Sequence, residues 1–159
     1  MGTTDAFPIS PAVPHGLRGH WNRLAGMLEN LLGHDVLALV NRYAIAAIFF
    51  LSGRTKVDGW LTVSDSAYAL FRDEYRIALL PPEVAAHLAA YAEHVFPLLL
   101  ALGLLTRLSA LALLGMTLVI QLLVYPSAWP THLCWAGLLL YLVACGGGRL
   151  SLDHLLRIR

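Results

Sequence analysis

The chain has 159 residues, enough for a single domain with a buried core. Only 13% of them are Asp, Glu, Lys or Arg, whereas an ordinary soluble domain carries about 25%, and 58% are hydrophobic. The formal net charge of +1 gives no electrostatic reason to expect a nucleic-acid partner. This composition excludes a disordered chain, a coiled coil and a disulfide-rich secreted module, and it predicts an integral membrane protein.

Residues 1–35 precede the first apolar stretch. Residues 1–15 contain three prolines and no periodic pattern, which predicts a flexible tail. Residues 16–33 place leucines and Trp21 on one helical stripe, with most charged side chains off it. An amphipathic helix with a tryptophan is typical of the membrane interface. Packing on a partner protein is the alternative interpretation.

Four apolar stretches follow, at residues 36–52, 84–105, 108–124 and 132–145. Their lengths approach the roughly 20 residues that cross a bilayer, and the joints at 105–107 and 126–130 are short. The sequence therefore predicts an all-α fold, an antiparallel bundle of four transmembrane helices with an N-terminal interfacial amphipathic helix. The membrane domain is expected to span residues 36–156. Within the long connection of residues 53–83, the segment 65–80 predicts a second interfacial helix, ended by Pro81 and Pro82.

Basic residues are distributed unevenly between the two sides of this bundle. The side that holds both termini and Arg107 collects six arginines, against four basic residues in the connection. The positive-inside rule therefore predicts that both termini are cytoplasmic.

Two ionisable residues fall inside the predicted spans, Arg42 in the first and Glu93 in the second. An unpaired charge at that depth costs several kcal/mol, so each needs a partner or a wet cavity. Counting 1.5 Å per residue from the span ends puts the two side chains at similar depths, which predicts an Arg42–Glu93 ion pair. The pair either has a structural role or, aided by His94, forms a catalytic proton site.

A second set of polar and aromatic side chains lies toward the side of the membrane opposite the two termini. They have helical spacings within three of the predicted spans, and the set comprises His87, Tyr91, Gln121, Tyr125, His132 and Trp135. Hydrogen-bonding groups among flat apolar walls would suit a membrane quinone. Anchoring of the bundle by an interfacial aromatic belt is the alternative.

The sequence supports few other cofactors. The spacing of the seven histidines predicts no metal site, and no haem, flavin or iron–sulfur motif is evident. Cys134 and Cys145 lie eleven residues apart in one span, about 16 Å along a helix, which excludes a disulfide between them.

Several short motifs occur in a characteristic order along residues 36–156. They are an arginine in the first span (Arg42), the turn SGRTK at 52–56, Glu93 with Pro97 four residues on, the joint GLLTR at 103–107, and the closing run GGGRLSLD at 146–153. In these motifs the chain resembles the DoxX family of small bacterial membrane proteins. The resemblance implies a four-helix bundle in the bacterial cytoplasmic membrane, with both termini inside.

The family takes its name from a subunit associated with an archaeal quinol oxidase, and a related subunit belongs to thiosulfate:quinone oxidoreductase. Other members resemble membrane partners of enzymes that handle thiols or oxidative stress. The resemblance therefore favours a subunit that passes electrons from a soluble or peripheral protein partner to membrane quinone. A non-enzymatic anchor for a redox, thiol- or metal-handling protein is the alternative, and a solute or metal transporter or an association with further copies of the chain stays open.

Overall fold

A computed structural model describes residues 16–77 and 80–158. The chain divides after Gly33 into two compact units. The first unit contains helix α1 (Leu17–Leu31), so the helix predicted for residues 16–33 is present. Its apolar side chains Leu17, Trp21, Met27 and Leu31 are all more than half exposed. Placement of α1 at the membrane interface stays a prediction, and the tail at residues 1–15 lies outside the described residues.

The second unit begins with α2 (His34–Arg54), and a connection follows that holds β1 (Val57–Asp58), β2 (Thr62–Val63) and α3 (Asp65–Ala69). Three long helices come next, α4 (Pro82–Leu102), α5 (Thr106–Val119) and α6 (Trp129–Cys145), and then the short α7 (Leu152–Leu155). Two π-helical segments extend α3 and α5, at Leu70–Tyr75 and Ile120–Val124, and a 3₁₀ turn at Pro126–Ala128 leads into α6.

Four helical segments among the described residues are long and apolar enough to cross a membrane: His34–Arg54, Pro82–Leu102, Thr106–Val124 and Pro126–Cys145. They correspond to the four predicted spans, and the predicted all-α, four-helix membrane fold is confirmed. One end of the bundle carries the connection, and the other carries the α4–α5 joint and α7; we call them the connection end and the Arg107 end.

Local chemistry sets the ends of α4. Pro82 occupies its first turn, where the missing N–H would have no helical partner. Gly103 ends it with φ +69°, a left-handed conformation that glycine adopts without a Cβ clash. Pro97 lies inside the helix, where it removes the N–H that would otherwise bond to the carbonyl of Glu93.

The bundle core is made of aliphatic and aromatic side chains from all four long helices. Ile45, Phe49, Leu100, Leu113 and Leu139 are almost completely buried within one cluster. Many other leucines on the same helices are more than half exposed, such as Leu98, Leu108 and Leu140. An outer surface of exposed leucines is the surface that contact with a lipid bilayer requires.

The connection packs on the first half of α4 and forms a second apolar cluster. Val57, Val63 and Phe71 are buried there against Ala86 and Ala90. The strands pair antiparallel, with Val57 opposite Val63, a hairpin that the sequence did not predict. The helix predicted over 65–80 is present as α3 and its π-helical extension, which ends before Arg76, where φ is +43°.

Candidate functional site

A cavity of about 470 Å³ lies among the four long helices toward the connection end, a size typical of small-molecule sites. We call it the central cavity. Most of its lining is apolar, and the polar lining groups are Ser52, Lys56, Glu93, His132 and the hydroxyls of Tyr75 and Tyr125. The principal apolar lining residues are Ile48, Phe49, Phe71, Ile77, Leu88, Phe96, Ala112, Met116, Val119, Ile120 and Trp135.

The central cavity opens through the side of the bundle. Leu88 on α4 and Val119 on α5 both line it, yet they are 55% and 38% exposed on the outer surface. In a bilayer these positions face lipid, so an apolar molecule could enter from the membrane between α4 and α5.

A buried ion pair forms the polar wall of the cavity. Lys56 Nζ donates to Glu93 Oε2 at 2.7 Å, and the two residues are only 5% and 3% exposed. The same ammonium donates to the Ser52 hydroxyl at 2.9 Å and to the Ser52 carbonyl at 3.1 Å. All three Lys56 N–H groups are therefore used, which is the condition for keeping an ammonium buried.

Gly53 brings α2 close enough to α4 for this pair to form. A Cβ at Gly53 would lie 3.0 Å from both Cβ and the carbonyl oxygen of Glu93, and 2.9 Å from His94 Nδ1. Only glycine permits this approach, which places the last turn of α2 level with Glu93. Glu93 lies eleven residues into α4, so α4 extends beyond α2 at the connection end.

The predicted Arg42–Glu93 ion pair is wrong. Arg42 Nε donates to the carbonyl of Leu100 at 2.8 Å, and its Nη2 donates to that of Ala101 at 2.9 Å. Its Nη1 donates to the carbonyls of Gly147 and Leu150 at 2.9 and 2.7 Å. The prediction assumed that α2 and α4 end at the same level, whereas Gly53 lies level with Glu93, about 16 Å or three helical turns along α2 from Arg42.

Arg42 therefore lies at the Arg107 end and binds backbone only. Leu100 and Ala101 belong to the last turn of α4, whose carbonyls lack the usual partner four residues on and carry the negative end of the helix dipole. The Leu100 carbonyl also accepts from the N–H of Gly103 at 3.0 Å. Nearby, the Asp153 carboxylate accepts hydrogen bonds from the N–H groups of Leu105 and Thr106, 2.7 and 2.8 Å, at the start of α5. The contacts of Arg42 join three chain segments, and none of them reaches the central cavity.

His132 and Trp135 form the α6 side of the cavity. Their rings lie 5.1 Å apart, and Trp135 meets Phe49 edge-on at 5.5 Å. Gln121 donates from Nε2 to the carbonyl of Pro126, and its Oε1 lies 2.7 Å from His132 Nδ1. Gln121 itself lines a separate groove on the outer face of α5 and α6, which His132 also reaches.

The connection covers the cavity through aromatic contacts. Tyr75 meets Tyr125 edge-on at 5.6 Å, and the Tyr125 hydroxyl donates to Glu74 at 2.5 Å. That hydrogen bond is the main reason that the pKa of Tyr125 lies above its ordinary value, while burial raises the pKa of Tyr75. The two π-helical segments meet at this point, and such segments recur at functional sites.

The structure brings only part of the predicted quinone cluster together. Tyr125, His132 and Trp135 line the cavity, and Gln121 contacts His132. His87 instead binds the hydroxyl of Tyr68 and the carbonyl of Glu83, and Tyr91 is exposed on the outer surface of α4. Neither His87 nor Tyr91 lines the cavity.

His94 is adjacent to Glu93 in sequence but lies on another face of α4. Its Nδ1 contacts the carbonyl of Ala90 at 2.6 Å, and its ring meets Phe50 edge-on at 5.3 Å. Its Nε2 is buried without a hydrogen-bond partner among the described residues. His94 is thus packed between α4 and α2, outside the cavity lining.

Sequence reasoning missed Lys56, which it counted with the charges of the connection. Two signals pointed to it: Lys56 is the single lysine among eleven basic residues, and it follows Ser52 by four positions at the end of a span. That spacing lets the ammonium fold back onto the helix end.

Cys134 and Cys145 are free and exposed, and no group of acidic, histidine and cysteine side chains able to hold a metal occurs within residues 16–77 and 80–158.

Comparison with known proteins identifies the family. The family model described as DoxX matches residues 37–126, which include both members of the Lys56–Glu93 pair and the α4–α5 joint. The chain belongs to the DoxX family. An uncharacterized protein of Haemophilus influenzae (strain ATCC 51907 / DSM 11121 / KW20 / Rd) is 32% identical over 139 residues, covering 79% of this chain and 87% of the relative. No solved structure matches this DoxX protein.

Proposed function

We propose that this DoxX protein is the membrane subunit of a quinone-linked redox system, in which electrons pass from a protein partner to quinone held in the central cavity. The observation that carries the proposal is the cavity itself, a largely apolar space that opens sideways between α4 and α5 and has one polar wall. Quinones have this amphipathic character, since a polar head is joined to an apolar tail.

The residues of the cavity fit such a ligand. Trp135, Phe49 and Phe96 offer flat apolar surfaces for a ring, and the volume of about 470 Å³ accommodates a head group with the first part of a tail. Glu93 and His132 present hydrogen-bonding groups from different helices, so they would fix the orientation of the head. The connection, through Tyr75 and Phe71, would exclude water from the ring.

The test is to purify the protein gently from its native membrane and to quantify the quinone that stays bound. Ala112 lines the cavity, and Ala112→Phe would fill part of it. Ala47 is exposed on α2 and does not line the cavity, so Ala47→Phe is the matched control. We expect near-stoichiometric quinone, counted as the sum of the oxidised and reduced forms, in the wild type and in Ala47→Phe and a strong loss in Ala112→Phe. Quinone at the lipid background in all three proteins would contradict the proposal.

The exposed apolar side chains of α1 favour a second candidate, a membrane anchor that binds a soluble or peripheral protein. Leu17 and Trp21 are 91% and 67% exposed. Deletion of residues 1–33 distinguishes the two functions. An anchor that uses α1 would lose its partner in pull-down, whereas a quinone site in the bundle would keep its ligand.

A further inference from the structure

The polar groups of the central cavity offer hydrogen-bond acceptors rather than donors. Lys56 would be the obvious donor to a quinone carbonyl, but its three N–H groups already bind Ser52 and Glu93. The Glu93 carboxylate has about four lone-pair sites, and the hydrogen bond from Lys56 occupies one of them. Glu93 thus keeps acceptor capacity on the side that lines the cavity.

The contacts of Gln121 decide which nitrogen of His132 carries the proton. Gln121 Nε2 donates to the carbonyl of Pro126, so its Oε1 is the atom that faces His132 Nδ1 at 2.7 Å. An amide oxygen can only accept, and therefore Nδ1 carries the hydrogen. In the neutral imidazole, Nε2 is then a bare acceptor. No hydrogen bond to Nε2 occurs within the described part of the chain.

The tyrosine hydroxyls do not change the excess of hydrogen-bond acceptors over donors in the cavity. The Tyr125 proton is committed to Glu74. The hydroxyls of Tyr75 and Ser52 can each donate or accept, so they do not discriminate between ligands. Two residues of the cavity lining, Glu93 and His132, therefore offer acceptors for which a ligand must supply the protons.

We propose that the central cavity selects the reduced ligand, an aromatic diol of the hydroquinone type, over the oxidised quinone. This inference rests on the proposed function and names which form of the couple the site prefers. A hydroquinone has two O–H donors, which match Glu93 and His132, whereas a quinone has only carbonyl acceptors. With a bound quinone, these two buried groups would meet lone pairs instead of protons, and both would remain unpaired.

Preferential binding of the reduced form changes the redox chemistry of the bound couple. A tenfold tighter binding of hydroquinone raises the two-electron midpoint potential by about 30 mV. The bound couple is then a stronger oxidant than quinone in the free membrane, so it can take electrons from a weaker reductant. The reaction class that this site favours is oxidation of a partner's donor, in which two electrons from the donor and two protons from the aqueous phase convert quinone to hydroquinone.

The test measures binding, not turnover. A short-tailed benzoquinone and its hydroquinone are titrated anaerobically into the purified full-length protein in a membrane-mimetic disc, and their dissociation constants are compared by calorimetry. We expect the hydroquinone to bind at least tenfold more tightly. Weak binding of both forms would refute the proposed function. Equal affinities, or tighter binding of the quinone, would leave the proposed function standing and overturn this inference.

Variants of the cavity residues test which side chains cause the preference for hydroquinone. His132→Phe removes one acceptor and should reduce the affinity ratio by about tenfold, the energy of one hydrogen bond. His87→Phe makes the same substitution at a histidine outside the cavity lining and should leave the ratio unchanged. In the double variant Lys56→Met with Glu93→Gln, an amide donor replaces the carboxylate without leaving a charge unpaired, and the ratio should shift toward quinone. An unchanged ratio in both cavity variants would overturn the inference.

Discussion

The Lys56–Glu93 pair couples two charges that the bundle interior would otherwise exclude. Removing one partner leaves the other charged and buried, so Lys56→Met or Glu93→Leu alone should lower the free energy of unfolding by about 3–5 kcal/mol. The double substitution removes both charges and should be much less destabilising than the sum of the two singles, because apolar side chains can replace a buried pair.

Chemical unfolding in a mild detergent measures this cycle. The chain contains a matched control in Arg72 and Glu83, which form an ion pair of similar length, 2.8 Å, whose side chains are more than half exposed. The same substitutions there should each change stability by less than about 1 kcal/mol. Additive effects at Lys56 and Glu93 would contradict the assignment of a coupled buried pair.

The sequence predicted that Glu93 lies inside a span, but it did not predict which basic residue pairs with it. The sequence identified Arg42 and Glu93 as charges inside spans, and both are buried. It could not give the axial offset between α2 and α4, which depends on a close approach at Gly53. About three turns of α2 separate Arg42 from the level of Glu93, so Lys56 and not Arg42 is the basic partner of Glu93.

At the scale of elements, the connection is joined to the α5–α6 joint by the Tyr125–Glu74 hydrogen bond. This bond requires the protonated phenol, and it raises the pKa of Tyr125 above the ordinary value of about 10. A raised pKa in the folded protein means that the stabilisation is fully present below the unfolded-state pKa. It is lost as the pH rises through the higher folded-state pKa, so on the alkaline side the contact should persist until the solution is strongly alkaline.

Glu74→Gln tests this contact. Without the carboxylate acceptor, the pKa of Tyr125 should fall toward its ordinary value, and one tyrosine equivalent should ionise at lower pH when phenolate absorbance is followed. Glu29→Gln on α1 removes an acidic side chain from the other unit and should leave the titration unchanged. Superimposable curves for Glu74→Gln and the wild type would show that the contact does not form in solution.

The long helices could be predicted from the sequence and the connection largely could not. Each span consists of about 20 mostly apolar residues, a pattern that can be recognised without knowing which segments pack against it. The hairpin at 57–63 has two-residue strands, and it is held by packing against Ala86 and Ala90 rather than by a local pattern. The contribution of the connection to the cavity, through Phe71 and Tyr75 of the π-helical segment, therefore became visible only in three dimensions.

At the scale of the whole molecule, the four spans place the chain as a multi-pass membrane protein, and its free cysteines can report the orientation. Cys145 ends α6 at the Arg107 end and is exposed. The arginine distribution predicts that this end is cytoplasmic. In a Cys134→Ala background, a membrane-impermeant maleimide should therefore label Cys145 in inside-out vesicles and not in right-side-out vesicles.

Two controls complete this measurement. A protein with both cysteines replaced by alanine should not be labelled in either preparation, and detergent should make Cys145 reactive in both. Labelling confined to right-side-out vesicles would reverse the orientation and place the connection end, with the cavity, on the cytoplasmic side.

The way Arg42 is bound has a consequence for how the family can diverge. All four of its hydrogen bonds end on main-chain oxygens, at positions 100, 101, 147 and 150. Every amino acid supplies a carbonyl, so these contacts do not themselves select the side chains at the four positions. Leu100 is instead held by the bundle core, and Gly147 by the lack of room for a Cβ beside Thr106 and Ser151. Substitutions at positions 101 and 150 among relatives should therefore show no correlation with Arg42, although the junction joins the first span to residues 147–150.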